Sequence, residues 1–347
     1  HYRVLDDQYH QDDDLFDVLR RIQTVLQGGR HEFVNLSIGP DLAIEDDEVH
    51  AWTAVLDEVL SNGDILTTVA VGNNGEGDAQ LGFNRVQVPS DCVNALGIGA
   101  ADSPAEGWSR AAYSAVGPGR SPGLIKPDLL AFGGSEQTPF CVLDPNNHTQ
   151  AGLVAGTSFA SPAALRLALG VRAHFGDSLS PLAIKALLIH SSSEGDLERY
   201  EQGWGRIAGS VEDLVICPDN AARIVYQGEL HPAQYLRAQV PLPDAPLQGN
   251  VNVTTTICYA TSVDPEDPGS YTRSGLEVVF RPHSEKFKDD DAHHPQTDSF
   301  FQLRDYSTEK ERRRDAHKWE TVLHRMKTKR GSSLKNPVFD IHFAPRA

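Results

Sequence analysis

The chain has 347 residues, 39% of them hydrophobic and 23% charged, which excludes wholesale disorder and predicts one large domain plus a smaller one. With 31 Lys and Arg against 48 Asp and Glu the net charge is −17, so nucleic acid, itself a polyanion, is excluded as the main partner. No run of about 18 apolar residues occurs, so no spanning helix and no membrane partner are expected.

In chain order, Tyr2 to Leu5 reads as a short strand. Asp12, Asp13 and Asp14 close an acidic loop. Leu15, Val18, Leu19, Ile22, Val25 and Leu26 then recur at helical spacing, and Gly28-Gly29 stops that helix. Phe33 to Ile38 reads as a strand ended by Gly39-Pro40. Val49, Trp52, Leu56, Val59 and Leu60 mark a second helix. Ile65 to Val71 and Ala95 to Ala100 are further apolar strands. This alternation predicts an α/β domain: a parallel sheet flanked by helices, with sites at the carboxyl ends of its strands. An edge-like strand is expected near Ala131-Phe132, a long helix from Ser158 to about Phe175, and another from Leu182 to Ile189.

Beyond residue 224 the texture changes to β-branched, alternating runs: Tyr235 to Val240, Asn250 to Ala260 and Gly275 to Arg281. Two domains are expected, 1–219 and a smaller β-rich, sandwich-like domain at 220–347. A polar loop is expected at 283–298, one helix at Thr308 to Lys329 with Trp319, Val322, Leu323 and Met326 on one face, and a final strand at Asn336 to Phe343. Residues 304–330 hold ten Lys and Arg against five Asp and Glu, and Arg312-Arg313-Arg314 reads as a solvated face. Cys92, Cys141, Cys217 and Cys258 are widely spaced, which favours free, mostly buried thiols in a reducing, cytoplasmic setting.

The segment carrying chemistry is Gly156-Thr157-Ser158-Phe159-Ala160-Ser161-Pro162. A serine hydroxyl is a weak nucleophile that needs a base, exposure at a helix start, and donors for an oxyanion. Thr157 is placed to cap the helix, Ser158 falls in its first turn, and Gly156 keeps the approach open. Pro162 costs at most one early helical hydrogen bond.

This segment resembles the G-T-S-x-A-x-P motif of the subtilisin-like serine proteases. FVNLSIGP, TVAVGNNG, AAYSAVGP, IKPDLLAFGG and GWGRI resemble further pieces in the family's order, over about residues 1 to 210. The resemblance implies Ser158 as nucleophile of a serine endopeptidase acting on a polypeptide substrate through an acyl-enzyme. It implies Asn73 as side-chain donor of the oxyanion hole, with Asn74 the neighbouring candidate. Ser37, Ile38 and Gly39 would offer backbone groups to an extended substrate. Ala70, Val71 and Gly72 would wall a specificity pocket, narrowed by Val71. Gly156 and Thr157 complete the substrate-binding set.

The family's D-T-G-like and H-G-T-like motifs are absent, and YRVLDD resembles the strand after them. The chain therefore reads as a fragment whose catalytic Asp and His lie upstream, nearly inactive alone. The competing expectation is a degenerate protease kept as a peptide-binding module. His1 sits in the wrong context for the base. His50, His174 and His190 read as surface or capping residues, and His148 precedes the serine. No metal site is assigned. Asp289 to His294 reads as a solvated loop. Calcium is a candidate at Asp12 to Asp14, where helix N-terminal charge is the favoured role. No cofactor is expected, and the β-rich domain is the expected place for a protein partner.

Overall fold

The computed structural model describes residues 4–5, 15–144, 147, 149–289, 291–301 and 316–346. Tyr2, Arg3, Asp12 to Asp14, His1, His148 and Arg312 to Arg314 lie outside the described residues, so the expectations placed on them do too. Val4 and Leu5 belong to no strand; they pack against the core beside helix α1.

Helix α1 runs Phe16–Gln27, and Gly28 with Gly29 (φ 64°) turns the chain out of it, as the glycine pair predicts. Strands β1 (Phe33–Leu36), β2 (Leu66–Ala70), β3 (Leu96–Ala101) and β4 (Leu129–Phe132) form a parallel sheet in the order β1-β2-β3-β4. Helix α2 (Ala51–Val59) links β1 to β2. On one face, Leu96, Ile98 and Leu129 meet Ala160, Ala164 and Leu167 of helix α3 (Thr157–Phe175) and Ile184 and Leu188 of helix α4 (Pro181–His190). On the other, Val69 and Val71 meet Leu19 and Ile22 of α1 and Trp52 and Leu56 of α2. Burial of both faces explains why these strands read as unbroken apolar runs rather than alternating ones. Between β4 and α3 stands a separate hairpin, β5 (Phe140–Leu143) with β6 (Ala151–Val154). Short helices α5 (Arg199–Gln202) and α6 (Val211–Val215) follow α4.

The carboxyl-terminal part is antiparallel. Strands β7 (Tyr235–Gln239), β9 (Ser274–Arg281) and β11 (Val338–Pro345) make one sheet in the order β7-β11-β9. Strands β8 (Asn250–Cys258) and β10 (Val322–Arg330) make another. Ala238, Val253, Phe280, Phe300, Leu334 and Phe339 join both sheets in one core, with the Phe280 and Phe339 rings 4.6 Å apart.

The helix expected at Thr308 to Lys329 is corrected where residues are described. Only Ala316–Trp319 is helical (α7), and Val322–Arg330 is strand β10, paired residue for residue with β8. The apolar spacing of Val322, Leu323 and Met326 misled. Val322 and Leu323 are buried on opposite faces, and Met326 is exposed. Lys327 and Lys329, on one side of the strand, share Asp298. Tertiary pairing overrides the helix propensity of Lys, Arg and Met.

The two parts are joined by buried polar contacts. The Asn94 side chain donates to Thr261 O at 2.9 Å and accepts from Thr261 N at 3.1 Å. Tyr271 donates to Asp57 Oδ2 at 2.9 Å. The Glu320 carboxyl accepts from Gly123 N and Leu124 N, the former at 3.0 Å. Burial pushes the Glu320 carboxyl up to about 8, against those amides and Lys126, with Asp128 adding to the rise. Burial likewise raises Asp57 to about 6.

A folded carboxyl that holds its proton above its ordinary value of 4.5 destabilises the fold as pH rises through that window, because the unfolded chain releases the proton first. The urea midpoint should therefore fall between about pH 5 and pH 8. Glu320→Gln keeps an acceptor for the two amides and removes the ionisation, so midpoints measured across that range should flatten in the variant.

Candidate active site

Ser158 occupies the first turn of α3, half-exposed, where the strands of the parallel sheet end. The first amides of a helix have no intrahelical acceptor. Thr157 does not cap this helix, contrary to expectation. The N-cap residue is Gly156, which has no side chain, and the cap comes from a different strand. Asn73, just past β2, accepts from Thr157 N at 2.9 Å and from Thr157 Oγ1 at 3.0 Å, both through Oδ1. Oδ1 is thereby committed, and Nδ2 donates to no group among the described residues. Asn73 Nδ2 lies 3.6 Å from where a Cβ on Gly156 would stand, so it borders the approach to the serine.

Asn74 is placed differently. Its Nδ2 donates to Phe83 O at 2.6 Å and Arg85 O at 2.8 Å, holding the loop after β2. Of the two candidates, Asn73 meets the serine turn and Asn74 does not.

A second tether reaches Ser158 from β1. Proline lacks an N–H, so Pro162 cannot donate to the carbonyl four residues back. That carbonyl belongs to Ser158, and Ser37 Oγ donates to it at 3.2 Å. Ser37 Oγ in turn accepts from Asn35 Nδ2 at 3.1 Å, and Asn35 Oδ1 accepts from Thr68 Oγ1 at 3.2 Å. Asn35 and Thr68 were missed in the sequence; the one signal was a polar Asn inside the apolar strand FVNLSI.

Ala70 ends β2 and Gly72 follows. Val71 does not narrow a pocket. Its side chain is wholly buried in the core with Trp52 and Leu56, its N–H donates to Ile98 O, and its carbonyl accepts from Gln87 N. Gln87 fills the space beside Gly72, and its carboxamide also donates to Asp41. Ile38 is half-buried, and Gly39 abuts Val88 O, 2.4 Å from where a Cβ would sit.

No described side chain hydrogen-bonds Ser158 Oγ. His50 caps α2, accepting from Trp52 N at 3.3 Å. His174 packs edge-on to Phe175 in the last turn of α3. His190 Nδ1 lies 3.0 Å from Thr256 Oγ1, and burial lowers its pKa. No cluster of metal-ligating side chains is present among the described residues. Cys92 is buried, but Cys141 is exposed and Cys217 and Cys258 half-buried, so the expectation of mostly buried thiols is corrected; all four are free. No helix among the described residues is long and apolar enough to cross a membrane.

The family model described as the subtilase family matches residues 2–205. The chain belongs to the subtilase family. No curated protein matches it. Among solved structures this subtilase is similar to a prenylagaramide maturation protease (20% identity, 60% of this chain and 70% of that one, TM-score 0.46). It is also similar to a patellamide maturation protease (21%, 61% and 72%, 0.45) and to a lanthipeptide protease (19%, 61% and 68%, 0.45). Subtilases are serine proteases, and Ser158 with its two tethers sits inside the matched region.

Gly72 has φ 110°, and a Cβ there would lie 2.3 Å from Gln87 Oε1 and 2.6 Å from Asn74 Oδ1. Gly72→Ala should destabilise the fold by at least about 1–3 kcal/mol in urea unfolding. Gly107→Ala, where a Cβ meets nothing within 4 Å, should stay within about 0.5 kcal/mol.

Proposed function

We propose that this chain carries the nucleophile half of a serine endopeptidase of the subtilisin type. Ser158 Oγ attacks the carbonyl of the scissile peptide bond. An imidazole takes the hydroxyl proton and passes it to the leaving amine, and a carboxylate orients that imidazole. In this reading the imidazole and carboxylate come from outside the 347 residues. Asn73 Nδ2 and the Ser158 N–H donate to the oxyanion, the acyl-enzyme forms on Ser158, and water releases it. Ser37 to Gly39 hold the acyl half of an extended substrate beside Ala70 to Gly72.

The observation that carries the proposal is the paired commitment of Asn73. Its carbonyl oxygen is spent on Thr157, which leaves Nδ2, beside Gly156, as the half of the amide that can donate. An amide is a useful oxyanion donor only if it is held before charge develops. A module that merely binds peptides has no need of that constraint.

The test is labelling by a fluorophosphonate in the full-length protein as its cells make it. Ser158 should be modified, and Ser158→Ala should abolish the signal. Asn73→Ala should lower turnover of a peptide substrate by about 10²–10³ with little change in KM. Absence of labelling in the full-length protein would sink the protease reading and leave the peptide-binding module.

A further inference from the structure

The two most exposed large apolar side chains among the described residues are Leu143 at 73% and Leu153 at 67%. Both lie on the β5–β6 hairpin and are diagonal neighbours across it: Cys141 pairs with Leu153, and Leu143 with Ala151. All four are exposed on one face. The opposite face is half-buried, with Phe140 stacked between Phe132 at 5.6 Å and Phe159 at 5.7 Å. None of the eight strand residues is charged, in a chain of net charge −17. Strands β5 and β6 pair only with each other among the described strands, so each keeps an open edge.

An apolar, uncharged face with open strand edges fits an extended apolar polypeptide. Three placements make that polypeptide the substrate. First, β6 ends at Val154, and Gly156, Thr157 and Ser158 follow at once. Second, Phe140 of the hairpin touches Phe159, the residue after the serine. Third, the hairpin follows β4, while Ser37 to Gly39 follow β1 at the opposite edge of the sheet, with Asn73 after β2 between them. A substrate whose acyl half lies on the β1 side runs its other half toward β4. A second exposed pair, Leu81 at 65% and Phe83 at 60%, stands on the loop that Asn74 anchors. Exposed apolar side chains thus occur on the segment leading out of Asn73 and on the segment leading into Ser158.

We propose that the outer face of the β5–β6 hairpin docks an apolar stretch of the polypeptide substrate, on the carboxyl-terminal side of the scissile bond. This rests on the protease reading for its direction, and its test is independent of turnover. Cys141 lies in the middle of the face and reports its occupancy. The full-length protein is treated with iodoacetamide, and modification of Cys141 is followed by mass spectrometry. Two ten-residue peptides are added in turn, one rich in Leu, Val and Phe, the other its Ser and Gln analogue.

The apolar peptide should slow Cys141 modification, and the polar one should not. Leu153→Ser should weaken that protection about tenfold, the scale of one leucine side chain returned to water. Leu143→Ser should do the same. Equal or absent protection by the two peptides overturns the proposal. Protection that grows with protein concentration in the absence of peptide also overturns it, because a second copy then covers the face. Fluorophosphonate labelling of Ser158 in the same samples separates the two readings. Labelling without protection removes only the docking face, and protection without labelling keeps the face and removes the protease.

Discussion

The arrangement of the site depends on one carboxamide. A helix start exposes unpaired amides, and Gly156 supplies no side chain to meet them. Asn73 reaches across from β2 and accepts both the N–H and the hydroxyl of Thr157. The contact does two things at once. It satisfies the helix, a contribution of about 0.5–1.5 kcal/mol for each such bond, and it orients the remaining half of the amide. A carboxylate at position 73 would accept the same two bonds and have nothing left to donate; a serine would be too short to span the gap with two functions. Thus an amide at 73 both accepts from Thr157 and keeps a donor, which a carboxylate does not.

Pro162 has a comparable double effect. Within a helix it removes one hydrogen bond, and here the orphaned acceptor is the carbonyl of Ser158 itself. Ser37 occupies that carbonyl from β1, so the missing helical bond becomes a link between the sheet and the serine turn. The chain Thr68–Asn35–Ser37 behind it ties β2 to β1 at the same level. The backbone of the serine turn is held on its donor side by β2 and on its acceptor side by β1. Neither tether involves Ser158 Oγ.

Much of the parallel sheet was legible because both its faces are buried. Runs such as ILTTVAV and ALGIGA have no second reading once helical stretches separate them. The position of Ser158 was legible because a Thr-Ser pair between Gly and an apolar helix constrains the local backbone. The capping role of Asn73 was not, since it joins residues 84 positions apart. Nor was the fate of Val71, whose side chain turns inward to Trp52 because strand alternation continues one residue past β2. Strand β10 was misread for a related reason. Its apolar residues fall at spacings compatible with either a helix or a strand buried on both sides at one end. Only the partner strand β8, some 70 residues earlier in the chain, decides between them.

The joint between the two parts of the chain has a consequence for the site. Cys258 and Val322, from β8 and β10, belong to or pack against the same core as Ala160 and Ala164 of α3. Asp57 and Glu320 are buried at that joint, and desolvation raises both, Asp57 to about 6 and Glu320 to about 8, so that Glu320 is largely protonated at neutral pH. A buried carboxyl of this kind destabilises the fold once ionised, unless the surrounding amides are already in place. For Glu320 those amides come across the joint, from Gly123 and Leu124 of the α/β part; Asp57 has Val93 N and Asn94 N within its own part and takes only the Tyr271 hydroxyl from the β-rich part. Separating the parts would leave Glu320 without its amide donors, take the Tyr271 hydroxyl away from Asp57, and open the core beneath α3. The helix that presents Ser158 therefore packs on a core to which the β-rich part contributes Val322 and Cys258, residues that are not part of the site.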